Sequence, residues 1–180
     1  MYSRAQVRAG IVIDMTRLST VHVVQNDRVV VDAGAKWSEV LSATLPQGLT
    51  PPVLTDYLEL SVGGTLAVGG IGATTSRFDM QRDNVLELDV VTGTGEKVTC
   101  SAHNNAELFD TVRAGLGQVA VIARATLKLI SAPQQVRRYL LMYPDLKAML
   151  TDERLLAADN QVRRSARRGA AHADRLEVQT

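Results

Sequence analysis

Helices and antiparallel strand pairs alternate along this chain, which predicts a mixed helix-and-sheet domain. Two strand pairs carry the prediction. Val21–Gln25 and Arg28–Asp32 are β-branched runs separated only by Asn26-Asp27, the spacing of a two-residue hairpin. Val85–Thr92 and Glu96–Cys100 flank the turn Gly93-Thr94-Gly95, which returns the second run antiparallel to the first. Between the pairs, Trp37, Val40, Leu41 and Thr44 recur at helical spacing. The composition, 46% hydrophobic and 22% charged, is that of an ordinary globular protein.

In chain order, Met1–Arg8 is polar and unpatterned. Gly10–Asp14 is a short apolar run bounded by turn-formers and predicts a strand. After the first hairpin, Ala35–Leu45 predicts a helix stopped by Gly48, with Trp37 packing it on a sheet. Pro46 and Pro51-Pro52 force an extended, turning path. Ser61 predicts the N-cap of a short helix through Leu66. The polar stretch after Gly72, with Arg77 and Arg82, predicts a loop. Asn104–Ala114 predicts a helix burying Leu108, Phe109 and Val112. Val119–Ile130 and Arg137–Tyr143 predict strands, and Asp145–Ala158 an amphipathic helix. Pro133 marks a boundary between a main body, 1–132, and a second unit, 133–160. Gln161–Arg175 has five arginines, one acid and no Leu, Ile or Phe. Such a segment buries too little apolar surface to offset its ordering entropy, so 161–180 predicts a disordered basic tail.

The chemistry centres on Thr55–Gly72, which holds five of the thirteen glycines: Gly63, Gly64, Gly69, Gly70 and Gly72. Glycine permits positive φ and lets a backbone approach a ligand closely. With Thr65 and Asp56 nearby, the stretch reads either as inward-pointing peptide N–H groups around a pyrophosphate or as a buried loop packed on a sheet. From the glycines alone the two readings weigh equally.

Other functions are excluded more firmly. A net charge of +1 gives no field for nucleic acid, and 4% aromatic content gives no base-stacking surface. No run of eighteen apolar residues occurs, and the start is not signal-like, so a soluble chain without a membrane partner is expected. The single Cys100 excludes an internal disulfide framework and fits a reducing, cytoplasmic compartment. Gly115-Leu-Gly-Gln-Val-Ala120 matches G-x-G-x-x-A, but it follows a predicted helix and leads into a strand, the reverse of a dinucleotide fingerprint. Cys100 and His103 lack a second pair of metal ligands, since His22 and His172 stand alone. No G-x-S-x-G elbow places a nucleophile.

Several blocks occur in a recognisable order: Ala35-Lys-Trp-Ser-Glu-Val-Leu41, Thr55-Asp-Tyr-Leu-Glu-Leu-Ser-Val-Gly-Gly-Thr-Leu66, Asn84-Val-Leu-Glu-Leu-Asp-Val-Val-Thr-Gly-Thr-Gly-Glu96, Glu107-Leu-Phe109, Gly115-Leu-Gly-Gln118 and Ile122-Ala-Arg-Ala125. Over about Gln6–Tyr143 the chain resembles the FAD-binding domain of the vanillyl-alcohol oxidase/p-cresol methylhydroxylase (PCMH-type) superfamily, most of all cytokinin dehydrogenases and their bacterial relatives.

The resemblance implies an α+β fold, mainly the second FAD-binding subdomain, with a substrate domain beginning after Pro133. It implies that the pyrophosphate lies on Ser61–Ile71, with Gly63, Gly64, Thr65 and Gly70 in the binding segment. Asp56, Ser61, Ala67, Ile71 and Val121 would line the flavin. The chemistry implied is oxidation of a carbon–nitrogen bond in a small amine, such as an N6-substituted adenine, with Asp56 as the base. Departures accompany it. The family's Gly-His-Ser motif, whose histidine carries covalent FAD in many members, is missing, so non-covalent FAD is expected. Val68 and Gly69 replace the usual Asn and Ala, and Asp79 stands where glycine is common. The family's glutamate partner for the aspartate is absent, which leads to the expectation of a truncated chain. Two alternatives remain, a non-catalytic remnant and an alcohol or sugar-lactone oxidase on the same flavin domain.

Overall fold

The computed structural model describes residues 9–135, 138–158, 164–170 and 173–179. The expectations for Met1–Arg8 and for His172 lie outside the described residues.

The first hairpin forms as expected. β1 (Val21–Val24) and β2 (Arg28–Asp32) pair antiparallel. α1 (Trp37–Thr44) follows, and the Lys36 N–H is capped by the Glu39 carboxylate at 2.8 Å. A 3-10 turn ends at Gly48, whose φ of 69° is the left-handed conformation glycine adopts without strain. β3 (Leu49–Thr50), α2 (Val62–Leu66) and α3 (Thr75–Phe78) come next, so the predicted polar loop contains a helical turn. β4 (Val85–Thr92) and β5 (Lys97–Ser101) make the second hairpin. α4 (Ala106–Val112), β6 (Ala120–Lys128) and β7 (Ile130–Ser131) complete the body.

The body is built on a five-stranded antiparallel sheet in the order β1-β2-β6-β4-β5. β6 joins the two hairpins. One sheet face, with Val29, Val31, Leu88, Val90, Ile122 and Leu127, is buried under Trp37 and Val40 of α1, Val62 and Leu66 of α2, and Phe109 and Val112 of α4. On β6 the strict alternation of buried residues breaks between Ile122 and Ala125. The ladder shifts register there, with Asp89 opposite Arg124 but Val90 opposite Ile122. A bulge explains the phase change, since an extra residue re-aims the side chains beyond it.

At the β2–β6 junction a buried carboxylate is enclosed by donors. Asp32, 4% exposed, receives Arg124 Nε at 3.0 Å, His22 Nε2 at 2.7 Å and the Thr20 N–H at 3.2 Å. Burial pushes its pKa up, but the hydrogen bonds from His22 and Arg124 outweigh this and hold it below the ordinary carboxylate range. A depressed carboxyl pKa contributes stability that is present above the unfolded pKa and lost as pH falls through the folded one. Asp32→Asn should therefore cost about 1–3 kcal/mol near neutral pH. Its gap from wild type in urea midpoint should shrink below about pH 4. A gap constant with pH would show that the carboxylate charge is not what counts.

Two expectations are corrected. Gly10–Asp14 is not a strand, and Ile11, Val12 and Ile13 are 91%, 63% and 59% exposed. An apolar run becomes a strand only where a neighbour completes its ladder, and β1 and β5 form the sheet's edges without it. The tail is not irregular throughout. β9 (Arg164–Ala170) and β10 (Ala173–Gln179) pair antiparallel with each other, and β10 pairs with β8 (Arg138–Tyr143). A strand already in place offers main-chain partners that composition does not reveal. α5 (Leu146–Ala158) contacts this three-stranded sheet and is tied to β8 by a 2.8 Å bond from the Tyr143 hydroxyl to Asp152.

Candidate functional site

Thr55–Gly72 lies along the β2–α1 turn and then folds back on itself. Leu58–Ser61 runs antiparallel to Lys36–Ser38: the Trp37 N–H donates to Leu60 O at 3.1 Å and the Ser38 N–H to Leu58 O at 3.0 Å. A surface pair, Lys36 Nζ to Glu59 at 2.9 Å, closes the same edge. Ser61 is the N-cap of α2, as expected, in extended conformation (φ −74°, ψ 147°) but without a side-chain capping bond. Its hydroxyl lies over Gly64, 2.8 Å from where a Cβ would stand.

The start of α2 corrects one expectation. Its N–H groups do not form an open anion nest: Val62 donates to Ala35 O and Gly63 to Ala33 O, both at 2.8 Å. The reason is the seat itself. α2 rests on the β2–α1 turn so closely that a Cβ on Gly63 would come within 2.7 Å of the Ala33 Cβ. Among the described residues, nothing accepts from the N–H groups of Gly64 and Ile71, both exposed. At the other end of α2, Leu66 O accepts from Ala114 N at 2.9 Å and Ala67 O from Leu116 N at 2.8 Å. The Gly115–Ala120 stretch thus joins α4 to β6 and caps α2, in keeping with its rejection as a dinucleotide fingerprint.

The site residues fall into two rows. Thr65 and Gly70 point inward. The Thr65 hydroxyl accepts from Trp37 Nε1 at 2.9 Å and donates to Val62 O at 3.1 Å, within the core. Gly70 is buried in a turn with φ 68°, after Gly69 with φ 99°. Gly72 meets the Leu54 carbonyl so closely that a Cβ would lie 1.9 Å from its oxygen. The outer row consists of exposed Asp56, Gly64 and Ile71, with Ser61, Gly63, Ala67 and Val121 half-buried. Ile71 is 68% exposed, and Tyr57, next to Asp56 in the chain, is 56% exposed. Small and apolar groups with one acid suit close approach of a flat apolar ring carrying a proton to exchange.

Sequence reasoning missed one residue. Gln81, 2% exposed, sits behind the glycine turn, and nothing marks one glutamine of a polar stretch as buried. Asp79 has φ 59° and ψ −160°, a region that costs a non-glycine residue about 1–3 kcal/mol. That conformation accounts for the glycine expected there. Among the described residues, no three or more His, Cys, Asp or Glu are placed to hold a metal ion. No helix among them is long and apolar enough to cross a membrane.

The FAD binding domain family matches residues 1–101. An uncharacterized oxidoreductase, ORF5 in the fasciation locus of Rhodococcoides fascians, is 50% identical over 89% of this chain and 36% of its own length. Cytokinin dehydrogenase 10 of Oryza sativa subsp. japonica is 47% identical over 86% of this chain and 30% of its own. Cytokinin dehydrogenase 2 of Arabidopsis thaliana is 42% identical over 88% and 32%. The chain spans about a third of the length of these relatives.

Proposed function

Since the chain belongs to the FAD binding domain family, we propose that it forms the flavin-holding part of an oxidoreductase acting on the carbon–nitrogen bond of a small amine. The observation that carries this reading is the exposed carboxylate of Asp56 on a main chain that leads, by Ser61, to the small outward row of α2. Ser61, Gly64, Ala67, Ile71 and Val121 are the residues to hold FAD. They fit it: their side chains are small or apolar, and the Gly64 and Ile71 N–H groups offer donors. Thr65 and Gly70 would shape the segment from behind.

Bound FAD supplies a two-electron acceptor for hydride. Asp56 accepts a hydrogen bond from the substrate amine N–H. It takes that proton on a carboxylate oxygen as the neighbouring carbon loses hydride and the C–N bond becomes C=N. An N6-substituted adenine is the substrate class favoured by the identity to the two cytokinin dehydrogenases. Residues 133–160 read as the start of a substrate domain.

The test is to titrate the purified chain with FAD, following flavin fluorescence, and then to assay amine oxidation with an electron-accepting dye. Asp56→Asn should lower turnover by about 100-fold or more while FAD affinity stays within about twofold, because an amide keeps the shape and loses the base. Unchanged turnover would remove Asp56 from the reaction. A chain that takes up no FAD would defeat the reading, and turnover of sugar lactones in place of amines would move it to the oxidase alternative.

A further inference from the structure

Gln81 is deeply buried, yet no part of the reading above uses it. It opens the 3-10 turn Gln81–Asn84, and its three polar groups face two other segments. Its N–H donates to Gly70 O at 2.9 Å. Its side-chain Nε2 donates to Val53 O at 3.2 Å. Its Oε1 is buried and, among the described residues, accepts no hydrogen bond. That oxygen faces Gly70: a Cβ there would lie 2.0 Å from Oε1 and 2.7 Å from Gln81 Cβ. The glycine hydrogen in the Cβ position therefore points at Oε1, a weak C–H···O contact.

The turn behind Gln81 is itself braced. Asn84 Nδ2 donates to Phe78 O at 2.6 Å and to Met80 O at 3.0 Å. Arg113 Nη1, just beyond the end of α4, donates to Arg82 O at 2.9 Å, and the Arg82 N–H donates to Gly69 O at 3.0 Å. One end of the arrangement is thus fixed to the core. The other holds Val53, three residues before Asp56, and Gly70, next to Ile71. We infer that Gln81 is a positioning residue: a buried strut that sets the spacing between the segment carrying Asp56 and the turn carrying Ile71. Insofar as that spacing concerns FAD, the inference rests on the flavin reading; the strut itself does not.

The full chain with Gln81→Met tests it, because methionine keeps length and apolar bulk and removes the donor to Val53 O. Val112→Ala, a buried truncation on α4, controls for general loss of stability. Amide hydrogen exchange followed by segment should quicken about tenfold over residues 53–57 and 69–75 in Gln81→Met, and Val112→Ala should not single those segments out. FAD affinity should fall by about tenfold in Gln81→Met and stay within about twofold in Val112→Ala. Exchange in the two segments that matches wild type overturns the strut, and so does FAD affinity that weakens equally in both variants. If wild type takes up no FAD while exchange quickens as stated, the strut stands and the flavin reading alone fails.

Discussion

Trp37→Ala is expected to remove about 3–5 kcal/mol of stability, the range for truncating a buried aromatic residue. The indole is 2% exposed and packs among residues of the sheet, α1 and α2. Its Nε1 also donates to Thr65 Oγ1 at 2.9 Å, so the variant leaves a cavity and a buried hydroxyl without its donor. Trp37→Phe keeps most of the packing and should cost about 1–2 kcal/mol. Urea unfolding of the two variants separates the terms: equal losses would assign the whole effect to the hydrogen bond. Because Thr65 belongs to α2, the alanine variant should also loosen the row that includes Gly64 and Ala67.

Gly72→Ala is the second large effect, about 2–3 kcal/mol. The added Cβ would stand 1.9 Å from Leu54 O and 2.8 Å from Leu54 C. Both are main-chain atoms, so relief requires one backbone segment to move away from the other. Leu54 lies two residues before Asp56, so FAD affinity should fall with stability. Gly93→Ala is the matched control. Nothing lies within 4 Å of its Cβ position, and the change should stay within about 0.5 kcal/mol. A Gly72→Ala variant as stable as Gly93→Ala would mean that the two segments do not touch.

Local chemistry was legible in the sequence wherever it acts through neighbours in the chain. The Asn26-Asp27 hairpin, the helix carrying Trp37, its stop at Gly48 and the turn at Gly93–Gly95 follow from spacing and backbone freedom alone. What was not legible depends on distant partners. Gly10–Asp14 has the composition of a strand but, among the described residues, no neighbouring strand to bond. The glycine cluster was visible as a count, yet its meaning lies in what each glycine meets: Ala33 for Gly63, Gln81 for Gly70, Leu54 for Gly72. These contacts divide the cluster: Gly63, Gly70 and Gly72 are packed closely against neighbouring segments, whereas Gly64 is exposed. Thr65 illustrates the same limit, because a hydroxyl in a glycine-rich segment suggests a ligand contact until Trp37 is seen to use it. The arginine-rich tail misled for a related reason: composition measures burial, whereas β10 is held by main-chain bonds to β8.

The central position of β6 governs the order of events as the chain leaves the ribosome. The two hairpins can close soon after each emerges, but Asp32 waits for Arg124, 92 residues later. Until β6 emerges, the inner edges of β2 and β4 lack their shared neighbour. Pairing so distant in sequence is slow to nucleate, and nascent sheets with open edges are prone to aggregate. Yield in cells should therefore respond more to chaperone supply than the stability of the finished sheet alone would suggest.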